Sequence, residues 1–203
     1  MTELLPLAFT SGWASGVNAY ATVLLLGLLG RFADVDAVPS GLERTDVLIA
    51  AAVLYAIEFI ADKVPYIDST WDAVHTVIRP TIGTVIALLI AGDAQSLDQA
   101  VLGATGGVTA LVSHLVKSGL RLAVNSSPEP ASNIGVSMLE DFSVAGIIAL
   151  ALAAPWIAAG IAAALLICGI TLVVVLAKRI RRARERWREH RRKRVGDRSA
   201  AAP

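Results

Sequence analysis

Cysteine and aromatic residues are scarce in this chain, and recognisable catalytic motifs are missing. A single cysteine, Cys168, excludes an internal disulfide and a thiolate metal cluster. Aromatics make up 5% of the 203 residues. No nucleotide-binding loop, zinc motif or nucleophile elbow is present. Residues 1–6 contain no Lys or Arg, so they lack the positive start of a signal peptide and the first helix is expected to be retained.

What fills the chain instead is Leu, Ala, Val and Ile. Hydrophobic residues make up 55% and mean hydropathy is +0.64. Such a composition leaves too little polar surface to coat a soluble core, and long uncharged runs point to membrane helices. The net charge of +1 hides an asymmetry. Residues 178–198 hold 12 Lys/Arg against 3 acidic residues, whereas residues 1–177 hold 6 against 14. An acidic membrane body therefore carries a cationic tail.

A helix needs about 20 apolar residues to cross a hydrocarbon core ~30 Å thick. The first candidate covers 4–32 and is interrupted at Gly12-Trp13-Ala14-Ser15-Gly16. A loop at 31–44, punctuated by Pro39 and Gly41, leads to a second span from 46 to about 62. In 65–80, Ile67, Trp71, Val74 and Ile78 fall on one helical face and Asp68, Asp72, His75 and Arg79 on another. That polar face is expected to lie solvated at the membrane interface. Residues 81–92 are too short to span alone, and one helix kinked at Pro80 is preferred over a separate short span. The fourth span runs from about 97 to 123, the fifth covers 134–153 and the sixth 155–176.

The expected fold is all-α: a polytopic transmembrane bundle of about six spans in residues 1–177. A basic cytoplasmic tail follows at 178–203, helical at first and disordered beyond Gly196. Positive loops stay in the cytoplasm. The tail fixes the C-terminus inside, and counting back places Lys63, Arg79, Lys117 and Arg121 inside with Arg31 and Arg44 outside. The N-terminus is then inside too, and an odd number of spans is expected to spoil the agreement. In that orientation the chain is a multi-pass protein of the bacterial inner membrane.

Ser15-Gly16-Val17-Asn18-Ala19 resembles Gly106-Gly107-Val108-Thr109-Ala110 at an offset of 91. A 3+3 inverted repeat with broken first and fourth helices produces this pattern, and Gly12, Gly16, Asn18, Gly106 and Gly107 are the candidate break residues. Small residues gathered where membrane helices pack closely produce it equally well.

Charges inside the apolar runs carry the most information. At ~1.5 Å per residue, Glu58 lies about 18 Å from the outer end of its span and Asp62 about 24 Å. His114 and Lys117 reach similar depth, and Glu140 and Asp141 sit roughly 10 Å in from the cytoplasmic side. A charge at the bilayer centre costs about 2.5–3.5 kcal/mol on insertion scales, so these groups are expected to face one another. The site candidates are Glu58, Asp62, Lys63, His114, Lys117, Arg121, Glu140 and Asp141. They form either ion pairs that fix helix register or a wet polar basin. Asn125, Glu129 and Asn133, in a loop with two prolines, are candidate contact residues. Glu58, Asp62, Asp68, Asp72 and His75 have the composition of a Mg²⁺ or Mn²⁺ site but no compact ligand signature, so no metal or other cofactor is expected.

Several stretches together resemble a family of bacterial integral membrane proteins, domain of unknown function 4126. They are Ser11-Gly12-Trp13-Ala14-Ser15-Gly16-Val17-Asn18-Ala19-Tyr20, Glu58 with Ala61-Asp62-Lys63-Val64-Pro65-Tyr66-Ile67-Asp68, Trp71-Asp72-Ala73-Val74-His75, and Asn125-Ser126-Ser127-Pro128-Glu129-Pro130 with Asn133. The resemblance covers about residues 5–175. It implies a bacterial membrane location and brings no activity.

The leading functional expectation is a small transporter or channel for an ion or small solute, with its polar site in the cytoplasmic half of the bilayer. The rivals are a membrane-embedded enzyme using Asp68, Asp72, His75 and Arg79 on a lipid headgroup, and a non-catalytic scaffold. Expected partners are the bilayer, anionic headgroups at the basic tail, an unidentified ion or small solute, and further copies of the chain. Nucleic acid is not expected.

Overall fold

The structure, a computed structural model, describes residues 3–33, 35–64, 67–124 and 130–200. Seven helices make up its regular structure, with a short 3₁₀ turn at Ser40–Glu43. They are α1 (Leu4–Val17), α2 (Ala19–Ala33), α3 (Thr45–Ala61), α4 (Ile67–Ala91), α5 (Ser96–Val124), α6 (Pro130–Ala153) and α7 (Pro155–Ala200). Among the described residues, 70–91, 96–122, 134–153 and 155–182 are long and apolar enough to cross a membrane. This is the make-up of a multi-pass membrane protein. α4 is one helix with Pro80 inside it.

The first apolar run does not pass straight through. One residue, Asn18, is extended (φ −150°, ψ 101°) and separates α1 from α2. Contacts along the two helices show a reversal there. Gly12 lies against Gly106, and Gly16 against Ala110 and Ser113, so α1 runs alongside α5 in the same direction. Val17 and Gly16 then reach Lys117 and Arg79. α2 leaves that same level, where Tyr20 meets His75, and climbs back until Gly27 meets Leu42 and Arg31 bonds Thr45. Gly41 in turn lies beside Leu89, near the end of α4 where α1 began. α1 and α2 therefore form a hairpin with its tip at Asn18. At 14 and 15 residues, each arm is only ~21–22 Å long.

The remaining five helices run between two ends, one at the α4–α5 turn and one at the charged residues. α3 descends from Thr45 to Asp62, α4 ascends, α5 descends, α6 ascends from Glu140, and α7 descends past Val116 and Gly119. This arrangement corrects three expectations. The first span is a hairpin rather than a broken crossing, because Asn18 turns the chain back. The start of α1 and the end of α7 lie at opposite ends of the bundle, which differs from the expectation that both lie on one side. α5 is continuous through Gly106 and Gly107, so it has no counterpart to the break in the first helix.

Close packing of small residues explains the glycines. A methyl on Gly12 would lie 2.5 Å from the Gly106 carbonyl oxygen, and one on Gly106 would lie 2.5 Å from that of Gly83. Backbones of α1, α5 and α4 thus touch directly, as small-residue motifs allow in membranes. Ser113 Oγ donates to Trp13 O (2.8 Å) and Ser15 Oγ to Arg79 O (3.1 Å), stitching the same three helices. α1 is buried along nearly its whole length, whereas α3 and α7 turn Ile49, Val53, Ile57, Ile157 and Ile167 outward. In lipid, outward apolar side chains carry no penalty.

α7 continues as one helix to Ala200, past Gly196 where helical order was expected to end. Its 46 residues reach ~69 Å, about twice what a bilayer needs.

Gly12→Ala tests the three-helix contact. It is expected to lower stability by about 1–3 kcal/mol, since backbone rather than a flexible side chain must move. Gly146→Ala, whose added methyl would meet nothing within 4 Å, is the control and should leave the melting temperature in detergent unchanged or higher.

Candidate functional site

The site begins at the hairpin tip. A helix end leaves carbonyls without internal partners, and in a membrane they need substitutes. Here cations supply them. Lys117 Nζ donates to Val17 O at 2.9 Å, and Arg79 NH1 donates to Gly16 O at 3.3 Å. Both positive charges sit at the negative end of α1, the favourable end for a cation. Asn18 caps the start of α2: its Oδ1 accepts from Ala21 N (2.9 Å), while its Nδ2 donates to Asp141 Oδ1 (3.1 Å).

Each cation is held by carboxylates in turn. Arg79 NH2 bonds Glu58 Oε1 at 2.6 Å and lies 3.3 Å from Asp72 Oδ1. Lys117 Nζ bonds Asp62 Oδ2 (2.8 Å) and lies 3.3 Å from Glu140 Oε2. Arg121 bonds Asp62 Oδ2 (2.9 Å) and Glu140 Oε2 (2.5 Å), and its NH1 is 3.8 Å from Asp68. Lys117 also stands 3.8 Å from Glu58, which joins the upper and lower parts. The structure thus brings together Glu58, Asp62, His114, Lys117, Arg121 and Glu140. Asp141 joins through Asn18. Lys63 sits at the edge, 3.0 Å over the Phe59 ring and bonded to Phe59 O.

Two histidines complete the cluster, and their partners assign their protons. Arg79 NH1 donates to His114 Nδ1 (2.7 Å), and since arginine has no acceptor, His114 carries its proton on Nε2, facing Thr76 Oγ1 at 3.1 Å. His75 Nδ1 faces Trp71 O (2.8 Å), so a neutral ring accepts at Nε2 from the Tyr20 hydroxyl (3.1 Å).

The polar face of α4 is buried, which corrects the expectation of a solvated interfacial face. Asp68, Asp72, His75 and Arg79 are all nearly inaccessible, while Val74 and Val77 on the other side are 58% and 72% exposed. The amphipathic period is real but its sense is inverted: in lipid the apolar side faces out and the charges face in. Sequence reasoning missed Tyr20 and Thr76, whose hydroxyls sit in a run that hydropathy reads as uniform. It also could not see the carbonyls of Gly16 and Val17. Gly12, Gly16, Gly106 and Gly107 serve helix contact, not helix breakage. Asn125 and Glu129 lie outside the described residues, as does the side chain of Asn133.

Among the described residues, Glu58 Oε2, Asp72 Oδ2 and Asp141 Oδ2 are buried without a hydrogen-bond partner. No three His, Cys, Asp or Glu among those residues converge on a point that suits a metal. Two cavities flank the network on either side of α5. One, of about 280 Å³, lies between α1, α5, α6 and α7 and reaches Lys117 and Glu140. The other, of about 190 Å³, lies between α4 and α5 and reaches Asp72, Thr76 and Ser118.

A family model described as domain of unknown function 4126 (DUF4126) matches residues 5–175. The chain belongs to this DUF4126 family. The match takes in α1 through the apolar first part of α7 and every residue of the charged network, and leaves out the basic end of α7. No curated protein and no solved structure matches the chain.

Removing one side of the central pair tests the network. Arg79→Met leaves the buried Glu58 without its nearest cation, and is expected to destabilise by about 3–5 kcal/mol. Adding Glu58→Leu should restore much of that loss. Melting temperatures in detergent check the coupling, and simple additivity of the two effects would contradict it.

Proposed function

We propose that this DUF4126 protein is a membrane transporter or channel for an ion or small solute, with the network at the hairpin tip as its polar site. Buried charge in a membrane helix is expensive and commonly marks a solute path or proton relay. The observation that carries the reading is an imbalance. Among the described residues the cluster holds six carboxylates (Glu58, Asp62, Asp68, Asp72, Glu140, Asp141) against four cations (Lys63, Arg79, Lys117, Arg121). Pairing for register alone calls for equal numbers. The surplus favours exchange with protons or a mobile cation.

Two further features support a moving part over a static scaffold. The hairpin is a broken helix whose tip meets the polar site, the arrangement that transporters use at substrate and ion sites. The carbonyls of Gly16 and Val17, held by Arg79 and Lys117, are the kind of acceptor that such proteins offer to a cation. The enzyme reading fits less well, since Asp68, Asp72, His75 and Arg79 are buried within the bundle, where a headgroup would have to displace protein to reach them. In this reading the membrane is the bacterial inner membrane, the basic end of α7 is cytoplasmic, and residues 31–44 and the N-terminus lie on the far side.

Proteoliposomes provide the test. With the wild type, an imposed gradient of H⁺, Na⁺, K⁺ or Cl⁻ should collapse faster than in protein-free liposomes. Glu140→Gln and Glu58→Gln should each slow that flux by about tenfold or more, as expected when a relay carboxylate is removed. Flux equal to empty liposomes for all four ions would sink the proposal.

A further inference from the structure

The larger cavity has two unlike ends. Its walls are apolar, with Val116, Leu120, Val136, Leu139 and Leu165 contributed by three helices. Its inner end carries Lys117 and Glu140. Of these two, Glu140 is the more accessible, although Arg121 already holds its carboxylate. The Lys117 ammonium is turned to Val17 O and Asp62, at 2.9 and 2.8 Å, and its side chain is 2% accessible. The Glu140 side chain is 15% accessible, while those of Glu58, Asp62, Asp68 and Asp72 are at most 4%. Glu140 is thus the one member of the acidic surplus that a ligand in this cavity touches.

We propose that the cavity between α5, α6 and α7 binds an amphiphilic organic cation, a single ammonium-type charge on an apolar body. The charge meets Glu140 and the body lies against the valine and leucine walls. Three alternatives fit less well. A hydrated inorganic ion would find only Glu140 and the Ser113 and Ser143 hydroxyls in exchange for its water, with apolar walls around the rest of it. An anion would meet a carboxylate. A neutral lipid tail would satisfy the walls and leave the surplus charge unanswered. Entry is from the bilayer side, because Leu139 and Leu165 at the rim are 70% and 42% exposed. The ammonium competes with Arg121 for Glu140, so occupancy loosens the strongest contact between α5 and α6. As a substrate site this rests on the transport reading; as a binding site it does not.

The test is calorimetric titration of the full-length protein in lipid nanodiscs with benzyltrimethylammonium, and with benzylsulfonate as an anion of similar shape. The cation should bind saturably and the anion should not. Glu140→Gln should weaken the cation by at least about tenfold, the scale of one charge contact. Leu165→Trp, which fills the cavity without touching the network, should do the same, and it carries the test if Glu140→Gln fails to fold. Absence of saturable cation binding would overturn the site. So would equal binding of the anion, or binding that Leu165→Trp leaves unchanged. The two readings fail separately: binding without flux removes transport and keeps the site, while ion flux without cation binding removes the site and keeps transport.

Discussion

Everything in the polar half follows from two cations bonded to the open end of a broken helix. Once the chain turns at Asn18, the carbonyls of Gly16 and Val17 lose their helical partners inside a low-dielectric environment. Lys117 and Arg79 answer them. Cations at that depth must themselves be neutralised, which draws in Glu58 and Asp62 from α3, Asp72 from α4 and Glu140 from α6. A single backbone defect thus recruits charge from four other helices. Removing the hairpin would strand that charge, and removing the charge would strand the hairpin.

The two halves of the bundle are built on different physics. Toward the α4–α5 turn, Gly12, Gly83 and Gly106 bring three backbones into contact, and cohesion there comes from dispersion and close fit. Toward the other end, cohesion is electrostatic and directional. Dispersion packing tolerates little change of shape, whereas ion pairs with several acceptors within reach can trade partners. Lys117 has four such acceptors, Val17 O, Asp62, Glu140 and Glu58, between 2.8 and 3.8 Å. Room to rearrange therefore lies in the charged half rather than at the glycine contact.

Much of this was legible in the residues, and the remainder was not for identifiable reasons. A carboxylate inside an apolar run has few places to go, so Glu58, Asp62, Glu140 and Lys117 announced a shared interior from depth alone. The polar face of α4 was legible as a face, but periodicity does not say whether water or protein covers it. The hairpin was hidden because hydropathy is blind to direction: residues 4–32 read the same whether the chain continues or folds back. The glycines of α5 misled because close packing and helix breakage use the same residue. Tyr20 and Thr76 were hidden because a hydroxyl scarcely alters an apolar average.

The partners of the hairpin arrive late in the chain. Trp13 waits for Ser113, Val17 for Lys117, and Asn18 for Asp141, separations of 100, 100 and 123 residues. A ribosome finishes α1 and α2 long before the groups that satisfy them exist. At 14 and 15 residues, neither arm is long enough to cross a bilayer on its own. Until α5 and α6 have been made, the hairpin tip has none of these three partners.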